Sequence, residues 1–462
     1  MKNLLKYHLY IIGFTTLIIS AILLNWDCPP NYDEAHAWNI ARYLSLKEIF
    51  TISKTEGHPF LWYYLLMPIA KTNFLYPYIL YLLNLTLILS AFYLLYKYAP
   101  FPTYLKYLIT FSAPFLQLYT SFTRSYTLGI LLLFAILSLY PHRHKKNILY
   151  LSLILLTANT NLICFFGAFL LGILYFCENI KASIQQKNVT ISTLQTIIAG
   201  LLETTLIIIQ FYGFDTNIPK YTPTFNPLIK DINSALFPLN TYTYIILILC
   251  SLYIFYKNKK HTAIFFLTIS QILLFITFQQ LYHGSIHHHN FFYIYLICSY
   301  WLSDIKTISK SPINFLPLTM ISAALIFNPS NQYKIKDKDY LKLLQNSAIQ
   351  INTLFPEKEQ KIIVFEHFDA NIIQPYLNKN ITLLNQTATD FKSLKGFQES
   401  LYHFYIPINR YTIAHSITKT PDILLYRTCE EPSYYNSNLA FHIRYKLNSR
   451  YCLYDAKIKQ DN

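Results

Sequence analysis

The sequence predicts an α-helical polytopic membrane protein with about eleven transmembrane helices, amphipathic helices in the first outer loop, and a small C-terminal α/β domain. Of its 462 residues, 53% are hydrophobic and only 13% are charged, whereas a soluble domain carries about 25% charged residues. Its 41 tyrosines suit a membrane interface, where the ring is half-buried and the hydroxyl meets water. Composition therefore favours a chain that is largely embedded in a bilayer.

The net charge of +15 could indicate nucleic-acid binding or membrane orientation. No RNA- or DNA-binding motif accompanies the lysines and arginines. In a membrane protein these residues orient the loops and meet anionic lipid headgroups. We therefore expect membrane lipid as a partner and no nucleic acid.

Eleven apolar segments come close to the length of about 20 residues that a membrane-spanning helix needs. They are residues 7–25, 74–96, 104–119, 126–140, 147–160, 162–178, 191–212, 241–257, 262–281, 288–303 and 313–328. The first follows a basic start but lacks the small-x-small cleavage site of a signal peptide, so we interpret it as a retained span. Pro114 interrupts the segment 104–119, so we expect eleven spans, plus or minus about one.

Lysine and arginine alternate between loops in a way that predicts the orientation. If the N-terminus is cytoplasmic, every inside loop is basic, whereas the short outside connections hold only Arg124. The inside residues are Lys97 and Lys106; Arg143, Lys145 and Lys146; Lys181 and Lys187; Lys257, Lys259 and Lys260; and Lys306 and Lys310. An odd number of spans then puts the C-terminus outside.

A polar region follows the last span and predicts a domain boundary, with residues 1–330 as the membrane domain and 331–462 as an accessory domain. Two apolar runs, 361–365 and 421–426, have the composition of short strands, and helical stretches alternate with them. Cys429 and Cys452 both lie in this region. An oxidising compartment would permit a disulfide between them, and the sequence alone leaves that pairing open.

Two adjacent carboxylates, Asp33 and Glu34, stand just past the first span, in the outer loop 26–73. Ionisable groups near a bilayer are costly, so they are functional candidates by default. Asp33 is also a residue type that favours a helix start, and apolar residues recur after it at helical spacing. A second apolar stretch opens at Phe60. We expect both stretches to be amphipathic helices in the membrane interface, although Asp33 could serve only as a helix cap.

Further polar residues fall on the same predicted face of the membrane. They are His58 before Pro59, Arg124, and the run from His287 to His289. Successive helix residues point about 100° apart, so three neighbouring histidines cannot all ligate one ion. Because these groups share one predicted face of the membrane, we expect a functional site on that face.

Three stretches resemble the GT-C superfamily of membrane glycosyltransferases, most closely the bacterial relatives of protein O-mannosyltransferases and of the aminoarabinose transferase of lipid A. The stretches are 32–41, which holds Asp33-Glu34, 56–63, which holds Glu-Gly-His-Pro, and 123–129, which holds Thr-Arg-Ser-Tyr. The resemblance covers residues 1–330. It implies transfer of a sugar from a polyprenyl-phosphate donor to a glycan, lipid or protein acceptor at the periplasmic face of the bacterial inner membrane. The C-terminal domain would then be periplasmic.

The resemblance also implies roles for individual residues. Asp33 would be the catalytic base, and Glu34 would orient the acceptor or help Asp33 to hold a divalent metal, Mg or Mn, if one is needed. Arg124, His58, and the pair His288-His289 would bind the donor phosphate. The alternatives are a span-end anchor for Arg124 and a simple turn residue for His58.

Two other functions fit parts of the sequence. A lipid-linked glycan transporter or flippase would need charged residues within the spans, and apart from Glu203 the spans are nearly free of charge. A non-catalytic scaffold would explain the C-terminal domain but not the outer-face cluster of acidic, basic and histidine residues.

Overall fold

The computed structural model describes residues 2–56, 58–212, 229, 232–233, 235–236, 238–280, 283–304, 312–327, 336–364, 367–385, 389–397, 424–429 and 439–458. Over these residues the protein is mostly helical, and a small sheet lies near the C-terminus. The predicted run 421–426 is described only from Leu424. Residues 213–240, which connect the predicted spans 191–212 and 241–257, are described only in part.

The helices and strands are numbered in chain order. The helices are α1 (Lys2–Asn25), α2 (Tyr32–Tyr43), α3 (Leu46–Glu56), α4 (Leu61–Ala70), α5 (Tyr78–Tyr98), α6 (Thr103–Phe111), α7 (Tyr119–Ser121), α8 (Ser125–Leu139), α9 (Asn147–Ala158), α10 (Leu162–Gln186), α11 (Ile191–Phe211), α12 (Thr241–Lys257), α13 (His261–Gln280), α14 (Ile286–His289), α15 (Phe291–Leu302), α16 (Leu316–Ile326), α17 (Lys338–Leu354) and α18 (His367–Ile373). The strands are β1 (Gln360–Val364), β2 (Ile381–Leu384), β3 (Leu424–Thr428), β4 (Leu439–Lys446) and β5 (Tyr451–Ile458).

Among the described residues, five helical segments are long and apolar enough to cross a membrane. They are Tyr78–Tyr98, Ser125–His142, Leu162–Gln186, Ile191–Phe211 and His261–Gln280. Each coincides with one of the eleven predicted spans, so the chain has the helices of a membrane protein.

The other six predicted spans are not confirmed. Four of them match shorter apolar helices, namely Tyr10–Asn25, Asn147–Ala158, Thr241–Lys257 and Pro312–Ile326. The segment 104–119 is broken, because α6 ends at Phe111 and a π-helical turn begins at Pro114, whose ring cannot continue an α-helical hydrogen-bond ladder. The segment 288–303 is divided between α14 and α15, and α15 is buried along its whole length.

The described residues form two compact units. One contains residues from Met1–Trp26, Leu80–Tyr212 and Lys220–Ile335, and the other contains residues from Asp27–Ile79 and Lys336–Asn462. The first outer loop, residues 26–73, therefore belongs almost entirely to the same unit as the C-terminal region, and not to the unit of the apolar helices that flank it in sequence.

The second unit contains a mixed five-stranded sheet in the order β2-β1-β3-β5-β4. Strand β1 is parallel to β2 and β3, whereas β5 is antiparallel to β3 and β4. Apolar side chains of the sheet, such as Ile362 and Leu453, share a core with Leu344 and Ile351 of α17. The predicted occurrence of short strands among helices in the C-terminal region is thus confirmed.

Helix α2 differs from its prediction in two respects. Its N-cap is Asn31 rather than Asp33, because the Asn31 side chain accepts the Glu34 backbone N–H and the Glu34 side chain accepts the Asn31 backbone N–H. This capping box fixes the helix start. In addition, every residue from Glu34 to Ala41 is buried. An amphipathic helix in a membrane interface would leave one face exposed, so α2 is a packed helix instead.

The predicted orientation can be tested at Asn378, which is exposed in the second unit. We expect Asn378→Cys to react with a membrane-impermeant maleimide in spheroplasts. Lys145→Cys, in a predicted cytoplasmic loop, should react only after the membrane is opened. Both variants would be made after Cys177 and Cys250, the exposed native thiols among the described residues, are changed to Ser. The reverse pattern of labelling would overturn the orientation.

Candidate functional site

The two predicted catalytic carboxylates are neighbours in the first turn of α2, but their surroundings differ. Asp33 is partly exposed. Glu34 is fully buried, with 0% exposure, and its Oε2 atom accepts the Asn31 backbone N–H at 2.9 Å. The same oxygen lies 3.0 Å from the Lys336 Nζ atom. Glu34 therefore caps its own helix and forms a buried ion pair.

Lys336 supplies a positive charge inside the second unit, where only 6% of its side chain is exposed. A carboxylate buried without such compensation would be strongly destabilising. Burial raises the pKa of Tyr376, and the negative charge of Glu34 raises it further, so this phenol stays neutral. Sequence reasoning missed Lys336 because no local pattern links it to a carboxylate so far along the chain.

His36 connects α2 to two other segments of the second unit. Its Nε2 atom lies 2.7 Å from Glu56 Oε1, and its Nδ1 atom lies 3.1 Å from Asn371 Oδ1. Both ring nitrogens face oxygen acceptors, an arrangement that suits a doubly protonated imidazolium. His36 thus ties α2 to the end of α3 and to α18.

Further hydrogen bonds join α2 to residues 371–375. The Asn39 side chain donates to the Asn371 carbonyl at 2.9 Å, and the Arg42 guanidinium donates to the Pro375 carbonyl at 3.2 Å. Asn73, which accepts from the Trp38 indole at 3.1 Å, donates to the same Pro375 carbonyl. The C-terminal region therefore fixes the position of the helix that carries Asp33.

His58 lies in the turn between α3 and α4 and is partly exposed. It belongs to the same unit as Asp33 and Glu34. Its predicted contact with phosphate stays a prediction.

Arg124 belongs to the other unit and lies at the N-cap of α8 in an extended conformation. Only 7% of the residue is exposed. Burying a guanidinium is costly, so a buried arginine at the start of a helix that is long and apolar enough to span a membrane is a functional candidate. The segment around it, from Tyr119 to Tyr126, is buried throughout.

The three neighbouring histidines are all buried and have different partners. His287 packs against the Phe122 ring, with 4.5 Å between ring centroids, and its carbonyl accepts the Tyr119 hydroxyl at 2.8 Å. His288 Nε2 lies 2.6 Å from the Tyr126 hydroxyl. His289 donates from Nε2 to the His283 carbonyl at 2.9 Å. The His287 and His288 rings lie 4.0 Å apart between centroids and both contact Tyr126, whereas His289 bonds to the His283 carbonyl.

The structure therefore brings together two predicted phosphate-binding segments that are distant in sequence. The Tyr119–Tyr126 segment, which contains Arg124, contacts both His287 and His288. Tyr126 forms one of these contacts, and sequence reasoning assigned it no role. The motif 123–129 contained it, but nothing in the motif indicated that its hydroxyl meets an imidazole.

No group of three or more His, Cys, Asp or Glu side chains within the described ranges is arranged to hold a metal ion. A divalent cation at Glu34 would also have the Lys336 ammonium group as an unfavourable neighbour. Metal binding by Asp33 and Glu34 stays a prediction. Cys429, directly after β3, and Cys452 of β5 are the pair considered from the sequence, and a disulfide joins them.

No protein-family model matches the chain, and no curated protein is significantly similar to it in sequence.

Proposed function

We propose that this protein is a GT-C-like membrane glycosyltransferase that transfers a sugar from a polyprenyl-phosphate-linked donor to a glycan, lipid or protein acceptor. Transfer would take place at the periplasmic face of the bacterial inner membrane. One observation carries this proposal most strongly: the segment of the buried Arg124 packs against the His287-His288 pair at the start of a membrane-spanning helix. Cationic and hydrogen-bonding groups at such a place suit the phosphate of a membrane lipid.

The reaction requires one proton acceptor and one stabilised leaving group. Asp33 takes the proton of the acceptor hydroxyl, and the acceptor oxygen attacks the anomeric carbon of the sugar. The bond between that carbon and the phosphate oxygen breaks, and the polyprenyl phosphate leaves with the electron pair. Arg124 stabilises the charge that develops on the departing phosphate.

The surroundings of the two carboxylates support a division of labour between them. Glu34 is occupied by the helix cap and by Lys336, so it positions α2. Asp33 is partly exposed and is not the N-cap, and we assign proton transfer to it. His58 is assigned to the donor phosphate or to the loop that holds it.

The five long apolar helices support the GT-C-like architecture, for which we propose about eleven spans in all. The shorter apolar helices would complete the bundle. In this arrangement the second unit, with Asp33 and the C-terminal sheet, lies on the periplasmic side.

The proposal can be tested with membranes from a host that expresses the chain. We expect them to release free polyprenyl phosphate from radiolabelled polyprenyl-phosphate hexoses or pentoses when a lipid and glycan extract is supplied as acceptor. Membranes without the chain should release none above background. A well-expressed protein that consumes no donor in this panel, together with an unchanged surface-glycan profile in a deletion strain, would contradict the proposal.

A further inference from the structure

The two ring nitrogens of His288 have contacts that fix its tautomer. Its Nδ1 atom accepts the Ser285 backbone N–H at 2.8 Å. A backbone N–H can only donate, so this nitrogen carries no proton. The proton of the neutral imidazole is therefore on Nε2, which lies 2.6 Å from the Tyr126 hydroxyl oxygen. His288 donates this hydrogen bond, and Tyr126 accepts it.

The direction of this bond determines where the Tyr126 hydroxyl can donate. Since its oxygen accepts from His288, its own hydrogen points away from that ring. The tyrosine is 3% exposed, and its ring packs against His287 at 4.9 Å and Phe291 at 6.1 Å between centroids. The ring is thus held in place, and the hydroxyl hydrogen can change direction only by rotation about the Cζ–Oη bond.

Tyr126 is also close in sequence to the proposed phosphate-binding arginine. It is the second residue of α8, whereas Arg124 is the N-cap of that helix. A neutral hydroxyl in the same segment as a guanidinium can add a donor for a phosphate oxygen without adding charge. Because both His288 ring nitrogens have partners inside the protein, a direct bond from His288 to phosphate would break one of these contacts.

We propose that Tyr126 donates a hydrogen bond to the phosphate of the polyprenyl-phosphate donor, and that His288 is a positioning residue which acts through Tyr126. The inference rests on the proposed glycosyltransferase function. It changes the role predicted for His288 from a direct phosphate ligand to an indirect one.

Tyr126→Phe tests the first half of this inference, because it keeps the ring and removes only the hydroxyl. The substitution would remove a hydrogen bond to a charged group, so kcat/KM for the polyprenyl-phosphate sugar should fall about tenfold or more. Inhibition by the product, polyprenyl phosphate alone, should weaken by a similar factor. Tyr293→Phe is the matched control, since that buried hydroxyl bonds to the Ser322 hydroxyl within the same unit. It should leave both values unchanged.

A double-mutant cycle tests the second half. His288→Ala should also weaken donor use and product inhibition, but in the Tyr126→Phe background it should have little further effect. His288→Gln should retain more activity than His288→Ala, because the glutamine amide can still donate to Tyr126. Additive effects of the two substitutions would show that His288 acts on its own and would overturn its assigned role.

The inference and the proposed function fail in different ways. Wild-type turnover of the donor together with wild-type values in Tyr126→Phe would overturn the inference alone. Absence of both turnover and polyprenyl-phosphate binding in the wild-type protein would overturn the function on which the inference rests. If Tyr126→Phe accumulates poorly, the comparison of His288→Gln with His288→Ala decides the matter.

Discussion

Asp33→Asn should lower the rate of sugar transfer by a factor on the order of 10²–10⁴, the usual contribution of a general base. The amide has nearly the shape of the carboxylate but cannot take the proton of the acceptor hydroxyl. Protein level and membrane insertion should stay unchanged, because Asn31 caps α2 and Asp33 does not. The measurement is donor consumption in membranes that contain equal amounts of each variant.

Asp339→Asn is a matched control for this substitution. Asp339 is the second residue of α17, as Asp33 is of α2, and it is exposed. Both changes remove one negative charge from the first turn of a helix, which alters helix stability by about 0.3–1 kcal/mol. The control should transfer sugar at the wild-type rate. Full activity in Asp33→Asn would rule out Asp33 as the base.

Patterns within short stretches of sequence predicted several of the helices and strands. Apolar length predicted the five long helices, since a continuous apolar run of that size has few other structures available. Composition predicted β1 and the described part of β3. Of the spans that were not confirmed, one contains Pro114, one is divided between α14 and α15, and four match apolar helices of 10–17 residues.

Packing against distant residues was not predictable from such patterns. The spacing of apolar residues suggested a half-exposed helix near Asp33, whereas α2 is buried by the C-terminal region and held through Asn371 and Pro375. The helical spacing of the three histidines indicated only that they cannot all ligate one ion. It could not identify Tyr126 as the partner of His288, since that contact depends on how α8 and α14 pack.

The Lys336→Met substitution should be the most destabilising of the changes considered. It removes the cation bonded to a fully buried carboxylate, and breaking a buried pair in this way typically costs about 3–5 kcal/mol. We expect a lower midpoint of thermal unfolding and faster proteolysis of the C-terminal region in detergent. Lys342→Met, in the second turn of α17, is the control. Its partner Asp27 is an exposed carboxylate, so the loss should be below about 1 kcal/mol.

A second change separates the structural role of Glu34 from a catalytic one. Glu34→Gln combined with Lys336→Met leaves no unpaired charge, and glutamine can still accept the Asn31 N–H as part of the capping box. The double variant should regain most of the stability that Lys336→Met loses. Because Asp33 is untouched, it should also regain transfer activity if Glu34 only positions α2. A double variant that is stable but inactive would instead assign Glu34 to the chemistry, as acceptor ligand or as metal ligand, and would end the division of labour between the two carboxylates.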